Sequence, residues 1–307
     1  MKREAKLFVD HFGWASTDEN KVINFFEGLG FHMGDKRPDG DTSFWMSHFY
    51  MDEDSSYINV YQLPDDGNMW PCKLDWIMNP DMPIEERLSD PAGVPGVYTF
   101  VLSTGDCDAS REAAMKAGYK VGPVYRRGGK PGEEMNSQMS YWESIGGSAS
   151  TDMFAFDLRV EPFPNMMVGV MEHNDRYHKH LHRKNIHEYH DNGVNNISSL
   201  VLYYETEEEL MKALKAIHKM HDTMRETADE GYYTENMRLI DKKAYEKEFG
   251  VAAPSNYRSN VVGVTFKNGD LDYIRELAEK NGYSYFEKNG RLYVDGREIL
   301  NAFLIFE

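Results

Sequence analysis

Residues 7–31 read LFVDHFGWASTDENKVINFFEGLGF, and the order of residue types in them decides the fold. The apolar, aromatic-rich run predicts a strand, Ser16-Thr17-Asp18 predicts a turn that opens a helix, and the amphipathic stretch closes at Gly30 before Phe31. The same succession returns at residues 95–119, PGVYTFVLSTGDCDASREAAMKAGY, which turn at Thr104-Gly105-Asp106 and close at Gly118 before Tyr119. It returns again at residues 260–283, NVVGVTFKNGDLDYIRELAEKNGY, closing at Gly282 before Tyr283. A fourth start, ISSLVLYYETEEELMKALKAI at residues 197–217, has no equally clear ending. Nineteen residues before the closing glycines stand His11, Thr99 and Gly263, so the units share an offset and read as copies of one ancestor.

After each helix come β-rich runs: SFWMSHFY and SSYINVYQL, then MFAFDLRV and MMVGVMEH, and last RLYVDG and ILNAFLIF. Each unit therefore predicts β-α-β-β-β. One such unit cannot bury both its helix face and its sheet face, so units must pair. The expected fold class is α+β, with tandem βαβββ modules paired into two half-open barrels. Residues 1–175 form the first, with the candidate site, 176–195 a His-rich linker, and 196–307 the second, degenerate and structural. Residues 225–259 read either as a degenerate unit or as an irregular helical insertion.

Length and charge narrow the function. At roughly 100–200 residues per domain, 307 residues predict two domains. Thirty-four Lys and Arg against 51 Asp and Glu give a net charge of −17, a field that repels phosphate backbones and anionic lipid. Neither nucleic acid nor membrane is expected as a partner. No apolar run reaches about 18 residues and the opening MKREAKLFVDHFGW has no apolar signal region, which predicts a cytoplasmic protein. Cys72 and Cys107 are too few for a disulfide framework or a zinc-thiolate cluster, and read as reduced thiols.

With its opening VDHFGWA, its helix-closing GLGF and its strand VGVMEH, the chain resembles, over nearly its whole length, the vicinal oxygen chelate superfamily of glyoxalases, bleomycin-resistance proteins and extradiol dioxygenases. A narrower likeness is to glyoxalase-like proteins in which a carboxylate-His strand end leads through a His-Pro-Asn-Gly-like turn. Here these are Glu172-His173 and His190-Asp191-Asn192-Gly193, with Asp191 in place of Pro. The resemblance implies a divalent metal ion (Zn, Fe, Mn or Ni) held by His11, Glu172 and Gln62 from first and last strands, with Thr99 departing from the His often found at its slot. Glu172 would also move a proton. The corresponding slots of the second pair fall near Ser199, Gly263 and Glu307, so the His-His-Glu triad of a two-domain extradiol dioxygenase is absent. The implied substrate is a small oxygenated, anionic metabolite contacting Trp45, His48, Thr99, Arg126 and His173, and a homodimer follows by analogy. Three functions stand in order: a metal-dependent lyase or isomerase, a metal-free small-molecule binding or resistance protein, and a ring-cleaving extradiol dioxygenase.

The residues also have plainer readings. His11 reads equally as an inward strand His hydrogen-bonded in the barrel, and Glu172 as a strand-end carboxylate in solvent. By alternation His173 faces away from Glu172 and is its rival for the ligand slot. His173, His178, His180, His182, His187 and His190 invite a zinc site, but Arg176, Lys179, Arg183 and Lys184 crowd them with positive charge, which favours a solvated or partner-contacting linker. Trp45, Met46, His48 and Tyr50 share one β-rich run, while Trp70, Trp76 and Trp142 fall in connections. The run Gly128-Gly129-Lys130-Pro131-Gly132 lacks the following Lys-Ser/Thr helix of a phosphate loop, and leaves Arg126 and Arg127 to meet an anion.

Overall fold

A computed structural model describes residues 1–16, 18–33, 37–38, 45–50, 57–62, 95–121, 125–127, 153–158, 163, 166–173, 190–228, 234–255 and 260–307. Cys72, Trp70, Trp76, Trp142, residues 128–132 and the histidines at 178, 180, 182 and 187 lie outside the described residues.

The first unit is strand β1 (Lys2–Ser16), helix α1 (Glu19–Glu27), and strands β2 (Arg37–Pro38), β3 (Trp45–Tyr50) and β4 (Tyr57–Gln62). The second is β5 (Gly96–Ser103), α2 (Cys107–Lys116), β6 (Tyr125–Arg127), β7 (Met153–Leu158) and β8 (Met167–His173). The third is β9 (Asn196–Tyr204), α3 (Glu207–Met224) and β10 (Thr234–Asp241), followed by α4 (Lys242–Phe249). The fourth is β11 (Val261–Lys267), α5 (Leu271–Asn281), β12 (Tyr285–Lys288), β13 (Arg291–Gly296), the single turn α6 (Arg297–Leu300) and β14 (Ala302–Phe306).

The four unit helices begin alike. Side chains of Asp18, Asp106, Thr206 and Asp270 accept from the backbone N–H of Lys21, Ala109, Glu209 and Tyr273 at 3.3, 2.9, 3.2 and 3.0 Å, each satisfying a donor that the first turn leaves over. At Thr206 the Glu209 carboxylate answers back to complete a capping box. Gly30 closes α1 with φ +84°, where a Cβ would also meet Asn192 at 3.1 Å, so both backbone and space demand glycine. On α1, Val22, Phe25 and Phe26 are buried at helical spacing.

In every unit the first and last strands pair in parallel: β1 with β4, β5 with β8, β9 with β10, and β11 with β14. The units then join in antiparallel pairs, β1 with β5 and β9 with β11. The third unit is shortened. Its helix is followed by the parallel strand β10 with only residues 225–233 between, fewer than lie between helix and last strand in the other units, and the chain then forms α4. β1 is long enough to serve both halves: residues 11–16 pair with β4 and β5, while residues 2–8 pair with β10 of the third unit. One sheet thereby runs through the molecule.

A main apolar core joins the halves. Phe12, Trp14, Phe100, Val168 and Val170 of the first half share it with Leu200, Leu202, Val264 and Phe266 of the second, under α1, α2, α3 and α5. A second core lies on the other face of the second half, where Tyr245 and Phe249 of α4 pack on Val201, Tyr203, Phe303 and Ile305. Among the described residues no helix is long and apolar enough to cross a membrane.

Candidate functional site

The antiparallel pairs at the centre of each half have the same register, down to their irregularities. In the first, Val9 faces Leu102 and His11 faces Val101, leaving Asp10 as an extra residue; in the second, Val261 faces Leu202 and Gly263 faces Val201, leaving Val262. A second irregularity follows in both, between Gly13 and Trp14 and between Thr265 and Phe266. The two halves can therefore be compared residue by residue.

At a β-bulge two consecutive residues oppose one, and strict alternation is broken. Val9 and Phe12 both enter the main core although an unbroken strand would turn them to opposite faces. The extra residue restores the parity, and Asp10 and His11 share the face away from the helices. Both are buried, at 2% and 4% exposure, and the Asp10 carboxylate bonds His11 Nδ1. A carboxylate at Nδ1 holds the orientation of the ring.

Sheet partners extend this face. His11 stands beside Tyr57 of β4 and Val101 of β5, and Val101 beside Gly169 of β8, whose partner on β7 is Asp157. Two residues along, Gly13 stands beside Asn59 and Thr99, and Asn59 beside His48 of β3. Asn59 is buried. Position 173 has the parity of 169 and 171, and pairs with Met153, itself opposite Arg127. Of the residues singled out in the sequence, positions 48, 99 and 173 thus fall on the face of His11.

Other expected site residues fall elsewhere. Glu172 has the parity of Val168 and Val170, the helix side, and its Oε2 accepts the Cys107 N–H at 2.8 Å, at the N-terminus of α2 where a carboxylate meets the positive end of the helix. The structure does not bring it to His11. Gln62 has the parity of Ile58 and Val60, which also enter the main core. Position 45 alternates with 46 and 48, and Arg126 pairs with Phe154, the partner of Glu172. Beside Glu172, burial and the Glu172, Asp108 and Asp106 carboxylates push the Cys107 thiol up to about 12.

His190 belongs to a joint between units. Its Nδ1 accepts the His32 N–H at 3.0 Å, Asn192 Nδ2 donates to Leu29 O at 2.9 Å, and Asp270 N–H donates to Asn192 O at 2.8 Å. The His190-Asp191-Asn192-Gly193 turn therefore ties the end of α1 to the start of α5. Two residues of the far face escaped the sequence reading. Asp10 had a signal, its place directly before His11, and Asn59 had one too, between Tyr57 and Tyr61 on a strand already assigned.

The second half keeps the frame and loses the chemistry. Opposite numbers of Asp10, His11 and Asn59 are Val262, Gly263 and Ile305, and a Cβ on Gly263 would press on Val201 at 3.2 Å. Thr99 corresponds to Ser199, whose hydroxyl donates to Thr265 Oγ1 at 2.9 Å. Gly169 corresponds to Arg238, which is tied to buried Glu248 of α4, and Glu307 is held by Arg291 and Ser198. Over this face lies the aromatic side of α4, with the Phe249 ring parallel to Phe303 at 4.4 Å.

Among solved structures, the Mn(II)-bound glyoxalase from Novosphingobium aromaticivorans aligns over 99% of this chain and 82% of its own, at 9% identity and a TM-score of 0.50. A 4-hydroxymandelate synthase variant from Streptomyces coelicolor aligns over 98% and 92%, at 9% identity and 0.54, and a catechol 2,3-dioxygenase over 99% and 89%, at 9% identity and 0.50. At such identities the likeness is one of fold. Comparison with curated protein sequences gives no match. The sequence profile of the glyoxalase-like domain, however, matches residues 9–218, from the strand that carries Asp10 and His11 into α3. The chain therefore belongs to the glyoxalase-like domain family and has the vicinal oxygen chelate fold.

Proposed function

We propose that the first half is a divalent-metal-dependent enzyme of the glyoxalase-like lyase or isomerase type, acting on a small oxygenated, anionic metabolite at the face that carries His11. The observation behind this reading is the internal comparison. Two halves with one register differ at this face by Asp10-His11 and Asn59 against Val262-Gly263 and Ile305, so the imidazole with its carboxylate is retained on only one of two equivalent surfaces. Burying them costs free energy, a cost that the apolar residues at the same three positions of the second half avoid.

The donor set suits a metal ion. His11, whose Nδ1 is engaged by Asp10, is one donor, and positions 48, 157 and 173, which carry His, Asp and His, have the same parity. Among the described residues no three His, Cys, Asp or Glu groups converge. When bound, the ion supplies Lewis-acid polarisation of two neighbouring substrate oxygens. Asn59 brings an amide to orient substrate, position 99 of the same face carries a Thr, and position 127 on β6, also of that face, carries an Arg suited to an anionic tail. The second half acts as scaffold.

The placement of Glu172 favours a second reading, a metal-free small-molecule binding protein, because the carboxylate expected beside His11 is occupied at the α2 N-terminus. Elemental analysis of the purified protein, with Mn, Fe, Ni and Zn titrations of wild type and His11→Ala, separates the two. The metal reading requires one tight site in wild type and its loss in His11→Ala with far-UV circular dichroism unchanged. Full occupancy in His11→Ala, or none in wild type after titration, would sink it.

A further inference from the structure

We infer that Asn289 is a site of spontaneous deamidation and isomerisation, left open to intramolecular attack by the native fold while three other Asn-Gly pairs are held. Asn-Gly occurs at 192–193, 268–269, 281–282 and 289–290, and the last three all read Lys-Asn-Gly, so local sequence does not separate them. A glycine after asparagine exposes its backbone nitrogen, because no Cβ shields it. That nitrogen attacks Asn Cγ: the new C–N bond forms, the Cγ–Nδ2 bond breaks, and the Gly proton leaves with the amide nitrogen as ammonia. Water then opens the succinimide ring at Cγ to give Asp, or at the backbone carbonyl to give isoaspartate.

The fold grades the four pairs. Asn192 is buried, its Nδ2 donates to Leu29 O at 2.9 Å, its Oδ1 accepts the Val194 N–H at 3.0 Å, and Gly193 N–H donates to His190 O at 2.9 Å. At the end of α5, Asn281 Nδ2 donates to Gly28 O and Leu277 O at 2.8 and 2.9 Å, and Gly282 N–H to Glu279 O at 3.2 Å. Asn268 is tied through Nδ2 alone, to Asn195 Oδ1 at 2.7 Å. Asn289 is exposed, and among the described residues neither its amide nor the Gly290 N–H has a hydrogen bond. The pair forms the two-residue turn between β12 and β13, where φ of +54° at Asn289 and +74° at Gly290 supply the two positive angles that such a hairpin needs. The residues that suit the turn are thus also the reactive ones. Next to them Lys288 Nζ donates to Lys247 O and Glu248 O at 2.7 and 3.0 Å, so the new carboxylate, and the extra backbone carbon of isoaspartate, fall beside a contact that holds the end of α4.

The test is a time course on the wild-type protein in warm, mildly alkaline buffer, folded and in guanidinium chloride. Peptide mass spectrometry follows the amide-to-acid change, and methyl labelling by an isoaspartyl methyltransferase marks isoaspartate. A hydrogen bond that must open before attack slows it about 2- to 10-fold. In the folded protein the Asn289 peptide should therefore convert about 2- to 10-fold faster than the Asn268 peptide. It should outpace those of Asn281 and Asn192, each held by three bonds, by about 10-fold or more. In guanidinium chloride the three Lys-Asn-Gly peptides should convert at like rates. Asn289→Gln, whose longer side chain closes a ring far more slowly, should lose the methyl label at that peptide and keep it elsewhere. An Asn289 peptide that stays intact in the folded protein while the unfolded chain reacts, or conversion of any of the other three ahead of it, would overturn the inference. An unchanged ranking in guanidinium chloride would also overturn it, since the fold would then not be what sets the order.

Discussion

Phe249→Ala tests whether the second half has given up its cavity. Phe249 is 2% exposed, lies parallel to Phe303 at 4.4 Å, and meets Tyr245 and Tyr293 at ring separations of 4.7 and 6.0 Å. Truncating a buried Phe to Ala costs about 3–5 kcal/mol. Three aromatic partners, each worth about 0.5–1.5 kcal/mol beyond the buried area, place this site at the upper end, about 4–5 kcal/mol. Against a total stability on the order of 5–15 kcal/mol the loss should be plain in urea unfolding followed by circular dichroism. The void would open between α4 and the strands that carry Gly263, so the variant should also bind an apolar fluorescent dye that wild type does not. Ligand and metal binding in the first half should stay as in wild type. A stability loss below about 1 kcal/mol would show that α4 does not fill this face, and the contrast between the halves would lose its meaning.

Glu248 is buried, and although desolvation pushes its carboxyl up, the Lys2 and Arg238 charges outweigh that and hold it below the usual range. Its contribution is therefore full above the unfolded-state pKa and is lost as pH falls through the lower folded value; Glu248→Gln should cost about 3 kcal/mol at neutral pH and much less at low pH, read from urea midpoints across the range. Cys107, with its thiol pushed up to about 12, should resist alkylation at mildly alkaline pH in the native protein and react once unfolded, as peptide mass spectrometry of both states would show; rapid native labelling contradicts it. Asp270→Ala removes the cap on Tyr273 N–H and should cost about 1 kcal/mol in the same unfolding assay, with no change in ligand binding.

The repeat was legible because its punctuation is local. Asp18 and Asp106 cap their helices where the turns predicted them, Thr206 and Asp270 do the same in the other two units, and Gly30, Gly118 and Gly282 take the positive φ that closes a unit. The third unit was harder: residues 225–259 contain both a strand and a helix, and the choice between them is made by the space on the sheet face that α4 fills. Site parity was not legible. It depends on a bulge, and a bulge is a property of two paired strands that one strand's alternation does not record. Counting from His11 in a regular strand misses that Asp10 shares its face. Glu172 was drawn to the site by its place at the end of β8, whereas the preceding Val168 and Val170, both core residues, turn it to the α2 N-terminus.

The dual pairing of β1 reaches into how the molecule is made. Residues 2–8 leave the ribosome well before their partners at 234–240 have been synthesised. Until then the first half carries an unsatisfied strand edge, open to adventitious pairing with other nascent chains. Such a long-range closure is slow relative to local hairpins and helices, so the seam should be among the last contacts to form. Slowing translation before β10, or cutting the gene ahead of it, should therefore trade native yield for aggregate even when every residue of the His11 site is present.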